Sequence, residues 1–176
     1  MRVISGKYKG NTLKGFTIEG TRPTMDRVKE SLCASIQDYI KDSIILDLFA
    51  GTGAIGIELL SMGAKKAYFV DKNKIAINTI RENITKLKIS EDTVVLNDDY
   101  KVALKKIHDK LDIIFLDPPY KDNLIMNCLT LIDELDLLNK DGIIVCEYET
   151  EEIETDKFQL IKEKKYGSKK IKIYKK

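Results

Sequence analysis

From residue 43 onward the chain alternates short, almost wholly apolar runs with stretches of helical periodicity, and no other feature limits its fold as tightly. The apolar runs are Ser43–Leu48, Lys66–Val70, Thr93–Asn97, Ile113–Leu116 and Gly142–Glu147, and helical stretches start near Ala54, Lys74, Tyr100 and Asn123. Strands apolar on both faces belong to a parallel sheet covered by helices on both sides. Strand–helix–strand units of this kind cross over right-handed and build an α/β sheet. The ending differs: Phe158–Lys165 and Lys169–Lys175 alternate around Tyr166-Gly167-Ser168, which reads as a closing antiparallel hairpin.

Ahead of the sheet, Arg2–Ser5 and Asn11–Lys14 flank Gly6 to Gly10 as a small β-hairpin. Thr21-Arg22-Pro23-Thr24 reads as a turn, with Thr24 placed to cap a helix. That helix is expected from about Met25 to Ile40, with Val28, Leu32, Ile36 and Ile40 at four-residue spacing. At 176 residues, 43% of them hydrophobic, the chain has core enough for one domain. Residues 1–20 are expected as an N-terminal extension and 21–176 as the domain itself.

Two loops carry chemistry. Asp47-Leu48-Phe49-Ala50-Gly51-Thr52-Gly53-Ala54-Ile55-Gly56 lies between a strand and a helix, and Gly51, Gly53 and Gly56 match a nucleotide-binding G-x-G-x-x-G fingerprint. Asp47 stands just before the glycines, where a pyrophosphate would be repelled. S-adenosylmethionine has no phosphate; its carboxylate suits the loop amides, and its ammonium and sulfonium suit an aspartate. Asp71 ends the second strand, twenty residues after Gly51, where an acid bonds ribose hydroxyls. Asp98 and Asp99 end the third, where an acceptor can meet the adenine amino group; strand-end or helix-cap aspartates are the plainer alternative for all three. Asp47, Asp71, Asp98 and Asp117 therefore line one sheet edge, the edge at which ligands bind.

The second loop is Asp117-Pro118-Pro119-Tyr120. Two prolines cannot donate to a ladder and so end the strand. They leave a carboxylate, a rigid carbonyl and an aromatic ring together. A flat base with an exocyclic amino group needs two acceptors for its N–H bonds and a face to stack on. Asp117 and the Pro118 carbonyl are expected to accept those bonds. Tyr120 is expected to stack, worth about 1–3 kcal/mol, with Pro119 beside it.

At this point the chain resembles class I S-adenosylmethionine-dependent methyltransferases. More narrowly, it is similar to the bacterial RsmD family, which methylates a guanine exocyclic amine in small-subunit ribosomal RNA. The resemblance rests on Arg2-Val3-Ile4-Ser5-Gly6-Lys7-Tyr8-Lys9-Gly10, on Arg22-Pro23-Thr24-Met25-Asp26-Arg27-Val28-Lys29-Glu30, on Asp47 to Gly56 and on Asp117 to Tyr120. It implies a Rossmann-like, mostly parallel seven-stranded sheet with a C-terminal antiparallel hairpin. It implies a cofactor, S-adenosyl-L-methionine, held by Asp47, Phe49, Gly51, Gly53, Asp71, Lys72, Asp98 and Asp99. It also implies guanine-N2 methylation of 16S ribosomal RNA in the small ribosomal subunit or its assembly intermediate. Arg22 and Arg27 would hold RNA phosphate beside the cleft, unless they are merely surface or capping arginines.

Charge supports an RNA partner. Residues 1–15 carry a net +4 and residues 157–176 a net +8, which leaves −10 between them in a chain of net +2. Lys7, Lys9, Lys169 and Lys170 are candidate contacts to the RNA backbone, although lysines also keep edge strands soluble. No apolar run approaches the roughly 20 residues of a membrane span, and the opening residues show no signal peptide. A cytoplasmic monomer with no membrane partner is expected. Cys33, Cys128 and Cys146 lie far apart without metal-ligand spacing, so neither metal nor disulfide is expected. His108, the one histidine, reads as solvated, so the chemistry is expected to proceed without a histidine base. The nearest rival is a DNA adenine-N6 methyltransferase, for whose target-recognition region the chain has no room. A nicotinamide-dependent oxidoreductase and a non-catalytic ribosome-binding module are the rivals from other classes.

Overall fold

The computed structural model describes residues 1–15, 24–119, 124–150 and 152–176, with only the backbone for Thr24 and Met25. The strands are β1 (Ile44–Asp47), β2 (Lys66–Val70), β3 (Thr93–Leu96), β4 (Leu111–Leu116), β5 (Leu138–Tyr148), β6 (Gln159–Tyr166) and β7 (Lys169–Lys175). The helices are α1 (Thr24–Ser35), α2 (Ala54–Ser61), α3 (Lys74–Leu87), α4 (Tyr100–Lys106) and α5 (Leu124–Glu134). The strands form one sheet in the order β3-β2-β1-β4-β5-β7-β6. The first five run parallel, and β7 inserts antiparallel between β5 and β6. The α/β class, the seven strands and the closing hairpin are as expected. The strand order reverses between β1 and β4, so the crevice for a ligand lies at the C-terminal ends of these two strands.

Alternation along each strand divides the core. Ile45, Phe69, Phe115, Val145, Ile171 and Ile173 pack on one face with Leu32 of α1, Ile57 of α2 and Ile80 of α3. Leu46, Leu116, Ile144 and Cys146 pack on the other with Leu104 of α4 and Leu129 of α5. All three cysteines are buried thiols, and burial pushes Cys33 up to about 12.

Residues 1–15 fold back on themselves. Arg2 and Thr12 form an antiparallel bridge, and Val3 N–H donates to the Asn11 carbonyl at 3.0 Å. Val3 and Leu13 enter the first core. The segment is fastened mainly by Glu58, whose carboxylate accepts from the amides of Ile4 (3.0 and 3.1 Å) and Ser5 (2.6 Å). Glu58 also pairs with Lys29 at 3.0 Å, and both side chains are almost fully buried.

Some boundaries differ from expectation. The first helix ends at Ser35 and continues as a single 3-10 turn over Gln37–Tyr39. Tyr39 N–H reaches back to the Ile36 carbonyl, an i to i+3 bond that tightens the end. Ile36 and Ile40 stay buried nonetheless. β5 begins four residues before Gly142, because Asn139 donates to Asp112 at 2.6 Å and Leu138 pairs with Leu111. Tyr166 closes β6 rather than the turn, pairing with Lys169 around Gly167-Ser168. The expected turn over Thr21-Arg22-Pro23 lies outside the described residues, as does the capping side chain of Thr24.

Candidate active site

The loop after β1 owes its shape to its glycines. Gly53 sits at φ 79°, in the left-handed region, as the residue that opens α2. Gly56, in the first turn of α2, lies against Phe69 so closely that a Cβ would meet the ring at 2.3 Å. These two positions bring the N-terminus of α2 onto the sheet edge. Asp47 ties strand to helix by accepting from Gly56 N–H at 3.2 Å. Its carboxyl is buried, and burial pushes its pKa up to about 7 against the lowering effect of that amide; the charge of Asp71 raises it further.

Asp71 folds the adjoining edge. Its two carboxylate oxygens accept from Gly51 N–H at 3.0 Å and Asn73 N–H at 2.8 Å. Each oxygen keeps a second lone pair for a hydroxyl donor. Lys72 is exposed beside it. Asn97, expected only as the last residue of an apolar run, holds this turn by donating to the carbonyls of Asp71 (3.0 Å) and Lys72 (3.1 Å). An amide at a strand's C-terminal end was the signal. Asp99 caps α4, accepting from Lys101 N–H at 3.0 Å, and Asp98 pairs with Lys106 at 2.8 Å. Phe49 lies 6.0 Å from the Tyr100 ring, tilted by 43°.

The residues fit S-adenosylmethionine by the chemistry of the donor set. Carboxylates at three consecutive strand ends suit its cationic and hydroxyl groups, and the space a side chain at Gly51 would take is open.

On the other side of Asp47, Asp117 lies at the rim of a cavity of about 560 Å³. β4 stops there as the prolines require, with Pro118 buried and Pro119 exposed. Leu116 and Cys146 are register partners on the second core face. Asp117 and Glu147, each one residue on, line the cavity on the opposite side together. Ile171, the partner of Glu147 on β7, faces the same side, and so does Lys169 two residues before it. Lys169 forms an ion pair with Glu147 inside this cavity. Burial pushes the Asp117 carboxyl up to about 7, and the charges of Glu147, Asp47 and Glu149 raise it further, while Lys169 pulls it down. Glu147 was missed in the sequence, although an acid ending an apolar strand is the signal that singled out Asp117.

The remaining site expectations fall in several places. Lys170 lies on the other face, 5.7 Å from the Tyr148 ring centroid, so the two lysines at the start of β7 do not share a surface. Lys7 stands over Tyr8 at 5.3 Å. Lys9 and Arg27 are exposed. Tyr120 and Arg22 lie outside the described residues.

A family model described as conserved hypothetical protein 95 matches residues 1–175. The chain belongs to this family. Among relatives of the family member described here, YlbH of Bacillus subtilis is 42% identical over all of this chain and 99% of its own length. Ribosomal RNA small subunit methyltransferase D of Haemophilus influenzae is 36% identical, over 99% of this chain and 93% of its own. The solved structure of yhhF from Escherichia coli superposes with a TM-score of 0.88 at 30% identity, covering 99% of this chain and 96% of that one. The RsmD resemblance read from the motifs thus extends over the whole chain.

Proposed function

We propose that this protein transfers a methyl group from S-adenosylmethionine to the exocyclic N2 of a guanine in 16S ribosomal RNA. The observation that carries the reading is Asp117. It is a carboxylate at the C-terminal end of β4, next to the strand-order reversal, between a glycine loop and a cavity large enough for a base. The relative in Haemophilus influenzae that carries ribosomal RNA small subunit methyltransferase D as its name supports the substrate class.

S-adenosylmethionine, when bound, supplies an electrophilic methyl group. Asp47, Gly51, Gly53 and Asp71 would hold it, with Phe49, Lys72, Asp98 and Asp99 around them. Asp98 and Asp99 would act in addition to the ion pair and the cap they already make.

The protein's own residues then act on the base. A guanine amine is a poor nucleophile, because its lone pair is delocalised into the ring. Asp117 and the Pro118 carbonyl accept its two N–H bonds, which fixes its orientation and favours a lone pair directed at the donor. Tyr120 stacks on the ring and Pro119 borders it. Most of the acceleration comes from positioning. Asp117, its pKa near neutrality, takes the proton the amine loses after transfer. A base inside an RNA helix must be unstacked to reach this cavity. Lys7, Lys9, Lys170, Arg22 and Arg27 contact the RNA backbone, a role that positions without reading sequence. The substrate is RNA assembled with small-subunit proteins, and the enzyme acts as a cytoplasmic monomer.

The test offers methyl-labelled S-adenosylmethionine with unmodified small subunits, naked 16S RNA and DNA. Label is expected in the RNA of small subunits. Label in DNA, or in none of the three, overturns the reading.

A further inference from the structure

We propose that Glu147 and Lys169 read the Watson–Crick edge of the target base and make the site select guanine, an inference that rests on the guanine-N2 reading above and deepens it. The pair is odd as a structural device. Both groups line the cavity beside Asp117, and the Glu147 side chain is only 7% exposed. The Lys169 side chain is 30% exposed, but enclosing the Glu147 carboxylate costs desolvation that an apolar side chain there would avoid. A ligand that uses both charges accounts for their place.

The chemistry of the bases says which ligand. On adenine the N6 amine is flanked by N1, an acceptor, and on cytosine the N4 amine is flanked by N3, also an acceptor. On guanine the N2 amine is flanked by N1–H, a donor, and beyond it stands O6, an acceptor. The strand order β4-β5-β7 presents, on one face, Asp117, Glu147 and Lys169. That series is acceptor, acceptor, donor, the complement of N2–H, N1–H and O6 on guanine. Lys169 Nζ already touches Glu147, so the longer side chains converge towards Asp117. An adenine placed with its amine on Asp117 would set N1, an acceptor, against the Glu147 carboxylate, which also accepts, so two lone pairs would face each other at that point. Rejection of this kind is stronger than the loss of a contact alone. Ser168, which donates to Glu149 at 3.3 Å, holds the hairpin turn that carries Lys169. Lys169 thus leaves the set of backbone contacts and becomes a base-reading residue.

The test compares Glu147→Gln and Lys169→Met with wild type on small subunits rebuilt around 16S RNA. The nucleotide the wild-type enzyme methylates is either guanosine or, after ligation, 2,6-diaminopurine riboside. That analogue keeps the 2-amine but presents an acceptor at N1 and a donor at position 6. Wild type is expected to prefer guanosine at least tenfold in kcat/KM, a charged hydrogen bond being worth about that or more. Both variants are expected to lose most of the preference, while S-adenosylmethionine affinity, measured on the same preparations, stays within about twofold and certifies the fold. Glu147→Gln should also move the acid limb of the rate profile to lower pH, because a like charge beside Asp117 is gone. A preference that persists in both variants, or a wild type indifferent to the analogue, overturns the inference while leaving the methylation reading intact. Failure of wild type to methylate any small subunit overturns that reading instead.

Discussion

Glu58→Gln tests the fastening of residues 1–15 onto the site. Glu58 accepts from two backbone amides and pairs with Lys29, which in turn donates to the Arg2 carbonyl at 2.8 Å. The two side chains are 2% and 6% exposed. Removing one partner of such a pair strands the other charge, at a cost of about 3–5 kcal/mol. For a domain of this size each kcal/mol shifts Tm by roughly 2–4 °C, so a fall of about 6–20 °C is expected. A second route has a cost of similar size: the segment can peel away and let water reach Lys29, forfeiting the burial of Val3 and Leu13 at about 1.5–3 kcal/mol each. Trypsin cutting at Lys7 and Lys9 should therefore accelerate well before global unfolding. Met1 borders the same cavity as Asp117, so release should raise KM for RNA more than it lowers kcat. Adding Lys29→Met should recover part of the stability, because no charge is then left unpaired. A Glu58→Gln protein that melts within about 2 °C of wild type and resists trypsin equally would mean that Glu58 does not fasten the N-terminal segment.

Two further outcomes follow from the titration of the buried acids. Asp117→Asn should abolish methyl transfer with S-adenosylmethionine affinity little changed. In wild type kcat/KM should rise through about pH 7 and level above it, since the ionised carboxyl is the acceptor and its pKa is about 7; a rate flat from pH 5.5 to 8.5 contradicts the role. Asp47 has a folded pKa of about 7, above the roughly 3.9 of an unfolded aspartate. Its burial therefore costs nothing below about pH 4, costs progressively more as pH rises, and reaches up to about 4 kcal/mol above pH 7 at 1.36 kcal/mol per unit. Asp47→Asn, which keeps an acceptor for Gly56, should raise Tm at pH 8 and not at pH 4, while S-adenosylmethionine affinity falls at least tenfold; equal Tm gains at both pH values would remove the burial argument.

What could be read from the sequence follows from what periodicity encodes. Short doubly apolar runs at Ile45, Phe69 and Ile114 gave the parallel sheet, and the two prolines after Asp117 gave the end of β4. Gly53 and Gly56 gave the loop. The early start of β5 was hidden, because Asn139-Lys140-Asp141-Gly142 has turn composition and is held in the sheet by Asp112, 27 residues away in sequence. Asp98 and Asp99 were legible as acids at a strand end, and a helix cap, which Asp99 makes, was the alternative reading; the ion pair of Asp98 with Lys106 was not legible. Lys169 and Lys170 look alike in sequence; only the register of β7 against β5 turns one into the cavity and the other onto Tyr148. Glu58 and Lys29 both sit within helices, and their burial depends on a segment that returns from the N-terminus, which helical periodicity does not encode.

The identity of the methylated nucleoside decides whether the enzyme acts on the N2 of a guanine. Small subunits from cells lacking the enzyme are incubated with it and S-adenosylmethionine, and their 16S RNA is digested and analysed by mass spectrometry. N2-methylguanosine is expected at one position, absent with Asp117→Asn. N6-methyladenosine, a methylated cytosine, or no modified nucleoside would contradict it.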